Sequence, residues 1–225
     1  MKPLPEILMR LTAVLAAMSL AGGVQAQTAT NVFQQTPNQL IPDANPTGYS
    51  STNVVSGLSG GIQSVEVSLD VTGGWNGDLY AYLSFGDGFA VLLNRVGKDG
   101  ANPYGYGDAG FDVTFSDSAA TDIHLYGGNG GDLLTGTWQP DGRETDPFLV
   151  VSSDPRTAML SSFDNLNPNG TWTLFVEDAA TGYQSTLVSW SIEIVTVPEP
   201  ATLALFGLGG AVLFAARRKS RIPKS

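Results

Sequence analysis

The chain lacks cysteine altogether, so no disulfide braces it and no thiol serves as nucleophile or metal ligand; buried apolar surface must hold the fold. Histidine occurs once, at His124 in Thr-Asp-Ile-His-Leu-Tyr. A serine–histidine–aspartate hydrolase needs its histidine beside an activated serine. Nothing in the sequence around His124 marks such a pair, so His124 reads as an ordinary strand residue and no catalytic residue is assigned. One histidine and no cysteine also leave too few of the usual ligands for zinc. Basic side chains are scarce where they would matter. Lys2, Arg10, Arg217, Arg218, Lys219, Arg221 and Lys224 lie at the ends, which leaves Arg95, Lys98, Arg143 and Arg156. Residues 27–200 therefore set four basic against 20 acidic groups, a net charge of −16, and offer no basic patch to nucleic acid.

What is abundant is glycine, at 27 residues, and proline, at 13, a composition of short strands and many turns. Residues 27–38, rich in Gln, Thr and Asn, read as a polar leader that frays, and the body is placed at 39–196. Within it, Val65, Val67, Leu69 and Val71 alternate with polar residues over Ser64–Thr72, the period of a half-buried strand. Leu79–Phe85 and Phe89–Asn94 read as a hairpin, Gly97–Gly110 as a glycine-rich loop, and Phe111, Val113 and Phe115 as one face of a further strand. The segment 160–195 closes the body. Trp172, Leu174 and Val176 share one face, and Val188, Trp190, Ile192 and Ile194 share another, so the segment reads as a closing pair of strands that brings two tryptophans into one core. Such spacing predicts an all-β, antiparallel sandwich or jelly roll.

Both ends read as targeting segments. Lys2 and Arg10 precede the apolar run Leu11–Ala21, and Val24-Gln25-Ala26 supplies the small residues of a cleavage site, so residues 1–26 are a signal peptide. Residues 197–225 hold Pro198-Glu199-Pro200, an apolar run at 201–216 and a basic cluster led by Arg217 and Arg218. As a transmembrane helix that run covers about 24 Å, short of a bilayer core of ~30 Å unless arginines snorkel and the bilayer thins. The basic cluster would stay on the cytoplasmic side.

Two family resemblances attach to these residues. Phe163, Asn167, Pro168, Gly170, Trp172, Leu174, Val176, Asp178, Leu187, Trp190 and Ser191 follow in order a pattern that resembles the P domain (P/Homo B domain) attached to subtilisin-like proprotein convertases, with Asn165 where that family usually has glycine. Gly77, Asp78, Leu79, Leu83 and Ser84 match a second run of the same family. The resemblance implies a jelly roll that accompanies serine endopeptidases without being the catalyst. The tail, with Pro198, Glu199, Pro200, Arg217 and Arg218, resembles the PEP-CTERM sorting signal of exopolysaccharide-producing Gram-negative bacteria. That implies an exosortase that removes the helix after export through the inner membrane, a transient anchor, and a destination at the cell surface or in the extracellular matrix.

The expected function is thus a structural or binding module with no enzymatic activity, whose processing partners are signal peptidase and exosortase. A polysaccharide-binding module or a regulatory module for a protease held in trans is the alternative. Asp78, Asp117 and Asp178, each at a strand end, are the candidate calcium ligands, set against the reading that they are solvated turn aspartates. Tyr80, Tyr82, Tyr104 and Tyr106 are the candidate ligand surface, since exposed aromatic rings can stack on sugars. Tyr126–Gly136 matches one calcium-binding nonapeptide repeat, but a single copy supplies half a cation site and reads as a flexible loop.

Overall fold

The computed structural model describes residues 27–197; the expected signal peptide at 1–26 and the expected helix at 201–216 lie outside the described residues. Ala29–Val197 form one compact unit. Its strands are β1 (Ala29–Gln35), β2 (Gln39–Leu40), β3 (Tyr49–Val55), β4 (Gly61–Gly73), β5 (Leu79–Phe85), β6 (Gly88–Asn94), β7 (Gly110–Phe115), β8 (Leu134–Trp138), β9 (Gly170–Asp178) and β10 (Ser185–Val197). The first sheet runs β1-β10-β4-β7-β8, with β2 also on β10, and the second runs β3-β9-β5-β6. The described residues include three short 3-10 turns and no α-helix, so the body is all-β.

The long strands β4 and β10 pair antiparallel from Ser185↔Gly73 to Val197↔Gly61. Val65, Val67, Leu69 and Val71 point into the core as their alternation predicts. On β10 the expected face is corrected at one position. The register shifts between Leu187 and Ser189, and Leu187 is buried while Val188 is half-buried. A bulge with Val188 as its extra residue moves Leu187 inward beside Trp190, Ile192 and Ile194.

The two closing strands do not pair with each other. β9 lies between β3 and β5 in the second sheet, whereas β10 is central to the first. Their tryptophans still share one core. Trp172 stacks on Phe85 at 4.2 Å and donates its indole N–H to Pro168 O at 3.0 Å. Trp190 Nε1 donates to Ser51 Oγ at 2.8 Å, which bonds the first sheet to β3 of the second. Asn165 takes a φ of 65°, a left-handed conformation open to glycine and asparagine but costly for most side chains.

Two further expectations are corrected. The polar stretch 27–38 is no frayed leader, because β1 pairs with β10 along seven residues from Ala29↔Thr196 to Gln35↔Trp190. Nor is the sandwich wholly antiparallel: β8 runs parallel to β7, which the long connection through residues 116–133 permits.

Candidate functional site

The three aspartates proposed as calcium ligands do not converge. Asp117 spends both oxygens on backbone donors, Leu160 N at 3.1 Å and Ser161 N at 2.8 Å, and so tethers the turn at 160–163. Asp78 and Asp178 are brought together at the other end of the fold, where Leu79 pairs with Asp178 and Ala179 N donates to Asp78 O. Both are buried, at 3% and 0% exposure. Asp78 Oδ1 accepts from Arg95 Nη2 at 3.5 Å, and Arg95 Nε donates to Gly77 O at 2.9 Å. Asp178 Oδ1 accepts a long bond from Ala180 N at 3.4 Å, while its Oδ2 has no partner.

Burial therefore dominates both titrations. It pushes the Asp178 carboxyl up to about 7, helped by the charges of Asp78 and Asp43 and opposed by the Ala180 N–H bond and by Arg95. Burial likewise raises Asp78, against the pull of Arg95. Arg95 already supplies the local cation, and among the described residues no three metal-ligating side chains form a set able to hold an ion.

The four tyrosines also separate. Tyr80 and Tyr82 stand on the outer face of β5, opposite the buried Leu79, Ala81 and Leu83. Tyr82 packs against Phe175 at 4.9 Å, Phe89 at 5.0 Å and Tyr80 at 5.9 Å, so its ring is largely used within the sheet. Burial, reinforced by the charges of its neighbours, pushes the Tyr80 phenol up to about 12. Tyr106 packs on Tyr126 at 4.5 Å beneath Gly97, where any Cβ would meet its ring at 2.5 Å. Only Tyr104 is well exposed, at 69%.

The glycine-rich segment after Tyr126 is organised by a carboxylate. Asp108 accepts from Tyr126 Oη at 2.7 Å, Asn129 N at 2.8 Å and Gly131 N at 2.6 Å. The loop thus closes its N–H groups around an anion of the protein itself, a geometry opposite to that of a cation site.

His124 lies in the 3-10 turn at 123–125 and not in a strand, and it is fully buried. Its Nδ1 meets Asp141 Oδ2 at 2.7 Å and its Nε2 meets Lys98 O at 3.0 Å. A carbonyl only accepts, so Nε2 carries a proton directed at the backbone and cannot serve as a base for a substrate. Asp141 Oδ1 accepts from Arg143 Nη1 at 3.0 Å, and Arg143 Nη2 reaches Asp122 Oδ2 at 2.8 Å. Arg156 closes the network through Asp141 O at 2.9 Å and Pro140 O at 2.6 Å. The segment 139–156 is fastened across β6 by Asp141 N donating to Leu92 O, Gly142 N donating to Val91 O and Asn94 N donating to Asp141 Oδ2.

An exposed aromatic pair was not anticipated. Trp75 and Tyr183 stack at 5.1 Å with 23° between their planes, and they are 40% and 63% exposed. Trp75 follows Gly73-Gly74 at the end of β4, and Tyr183 follows Gly182 just before β10. The sequence carries half of the signal, an aromatic residue beside glycine in each of two turns, and the pairing of Gly73 with Ser185 that joins the turns comes from the fold.

Residues 196–219 match the family described as the PEP-CTERM protein-sorting motif, which implies exosortase-dependent export to the cell surface. The match takes in Pro198, Glu199, Pro200, Arg217 and Arg218, and it begins within the last two residues of β10. No curated protein sequence matches the chain. Solved structures are similar to the chain, two of them from one organism. The serine protease of Aeromonas sobria has a TM-score of 0.44 at 14% identity, with 80% of this chain and 29% of that chain covered. The complex of that protease with its chaperone ORF2 has a TM-score of 0.42 at 14% identity, with coverages of 81% and 29%. The chain thus spans under a third of the length of the structures it matches. Among the described residues, no helix is long and apolar enough to cross a membrane.

Proposed function

We propose that this chain is an exported, exosortase-processed protein of the cell surface or extracellular matrix of a Gram-negative bacterium, whose body is a P-domain-like jelly roll acting as a non-catalytic structural or binding module. The observation that carries the reading is the match of residues 196–219 to the PEP-CTERM protein-sorting motif, directly behind the body. β10 delivers Ile192, Ile194 and Thr196 to the interior, and its Val197 pairs with Gly61, the first residue of β4. Pro198 and Pro200 have no N–H to add to a sheet ladder. An enzyme that cuts near the triplet releases an intact sandwich.

The P-domain part of the reading is supported by where its motif residues sit. Phe163, Trp172, Leu174, Val176, Leu187 and Trp190 are all in the core, as a pattern that specifies a fold requires. The non-catalytic part is supported by His124, whose Nε2 is committed to Lys98 O. Signal peptidase acting after Ala26 would leave Gln27 two residues ahead of β1. Calcium, if bound by the body, falls to Asp78 and Asp178 beside Asp43, where it would have to displace Arg95.

The test is to replace Pro198, Glu199 and Pro200 with alanine in a host that carries an exosortase, and to compare membrane and surface fractions. The variant is expected to stay in the membrane at its uncut length while the natural chain reaches the surface. Equal surface delivery of both chains would refute the reading.

A further inference from the structure

We propose that the Trp75–Tyr183 stack is a binding plate for a neutral glycan, with one pyranose ring lying against the two side chains. The proposal deepens the binding-module reading and rests on it for the outward presentation of the body. Its first basis is exposure without disorder of the backbone. Large aromatic rings left in water are costly unless they are used, and these two stand 40% and 63% exposed. The residues on both sides of Tyr183 are nevertheless pinned. Gly182 N donates to Asp43 Oδ1 at 3.1 Å, and Gln184 Nε2 donates to Ile41 O at 3.0 Å. Ser185 Oγ donates to Gly73 O at 3.3 Å.

The turn that presents Trp75 is equally constrained. Gly73 and Gly74 take φ values of 75° and 67°, and a Cβ on Gly74 would collide with Ser185 Oγ and approach Tyr183 O at 3.1 Å. Two turns from different parts of the chain are thereby locked together to hold one pair of rings in a fixed, nearly parallel arrangement. Such preorganisation lowers the cost of binding.

Size and charge select the occupant. The residues around the plate, Asp43, Thr72, Gly73, Thr181, Gly182 and Gln184, are exposed and polar or small. An apolar area of two rings is far below what a stable protein partner needs, but it matches the C–H face of a single sugar ring. Asp43 and Gln184 offer acceptors and a donor for hydroxyl groups at its edge. The acidic body, at −16 over residues 27–200, repels anionic polymers, which leaves a neutral glycan. Placement agrees: the plate lies where β10 begins, and Val197, next to the sorting motif in sequence, stands at the other end of this 13-residue strand, roughly 40 Å away at ~3.3 Å per residue.

The test is affinity electrophoresis of the full chain in detergent through gels carrying hydroxyethylcellulose or dextran as neutral probes, alginate as the anionic probe and polylysine as the cationic one. At least one neutral glycan should retard the natural chain, and alginate should not. The double variant Trp75→Ala, Tyr183→Ala should lose about tenfold or more in affinity, equivalent to roughly 1.4 kcal/mol, with its Tm unchanged. The variant Trp75→Phe, Tyr183→Phe should keep most of the binding, because it keeps the plate. Failure of every neutral probe, equal retardation of the alanine variant, or capture by polylysine that the alanine variant abolishes would each overturn the proposal. Surface delivery is read separately, so a chain that binds glycan but is not processed refutes only the sorting reading.

Discussion

The Asp122–Asp141–Arg143 network and the Asp78–Asp178–Arg95 cluster both bury carboxylates against a guanidinium, yet they end in different states. In the first, the four carboxylate oxygens have partners at 3.0 Å or less: His124 N and Arg143 Nη2 for Asp122, Arg143 Nη1 and His124 Nδ1 for Asp141. Only Arg143 Nε is left without a partner. In the second, a single 3.5 Å contact joins Arg95 to Asp78, and Asp178 Oδ2 bonds to nothing. Buried ionic groups are tolerated when their hydrogen bonds are complete and become a cost when they are not. The first network therefore acts as a fastening for the segment across β6. The second makes the end of the sandwich that carries Trp75 and Tyr183 sensitive to protonation.

The largest effect should come from breaking the complete network. Arg143→Ala leaves Asp122 and Asp141 buried without their main counter-charge and should destabilise the body by about 3–5 kcal/mol, read from denaturant unfolding. The matching change in the other cluster, Arg95→Ala, should cost less, on the order of 1–3 kcal/mol, because Asp78 and Asp178 can take up protons instead. Equal losses would erase the distinction between the two clusters.

Asp178→Asn sharpens it from the other side. The folded-state pKa of Asp178 is raised from 3.8 to about 7, so the folded chain binds this proton more tightly than the unfolded chain. The stability this proton contributes is fully present below pH 3.8 and is lost as pH rises toward about 7. Asp178→Asn should flatten that part of the stability profile and gain on the order of 1–2 kcal/mol above it. A slope unchanged by the substitution would place the proton elsewhere. The smallest effect is expected from calcium: at millimolar concentration it should leave Tm where it was, because Arg95 already stands against Asp78 and Asp117 lies apart. A clear rise would mean that the metal displaces Arg95.

Strands whose inward residues are apolar were legible in the sequence, and strands whose inward residues are polar were not. β4 and β9 alternate plainly, and the hairpin of β5 and β6 was bounded within a residue. β3 reads Tyr-Ser-Ser-Thr-Asn-Val-Val and turns Ser51 and Asn53 inward while Val54 stands 67% exposed. The inversion has a cause that lies across the core: Ser51 Oγ accepts from the Trp190 indole, and Asn53 Oδ1 accepts from Gln35 Nε2 at 3.4 Å. β1 was missed for a similar reason, since Phe33 is its one large apolar residue on the inward side and Val32 points to water.

Of the candidate site, the placement of Asp78, Asp117 and Asp178 at strand ends followed from the sequence, whereas the meeting of Asp78 with Asp178 comes from the pairing of β5 with β9. The separation of Asp117 did not follow from the sequence either, because nothing local in it says that Leu160 and Ser161 will offer Asp117 their N–H groups. The tyrosines were identified by type, but which aromatic face is free depends on cross-strand neighbours, Phe89 and Phe175 for Tyr82, that only the register supplies.

The central claim, that the body of residues 29–197 is handed on by cleavage at the sorting motif, is tested most directly by the intact mass of the chain recovered from the cell surface, with its two terminal residues sequenced. The account predicts a chain that begins at Gln27 and ends near Pro198-Glu199-Pro200, without residues 201–225. A surface form that retains residues 201–225, or one cut inside β10, would contradict it.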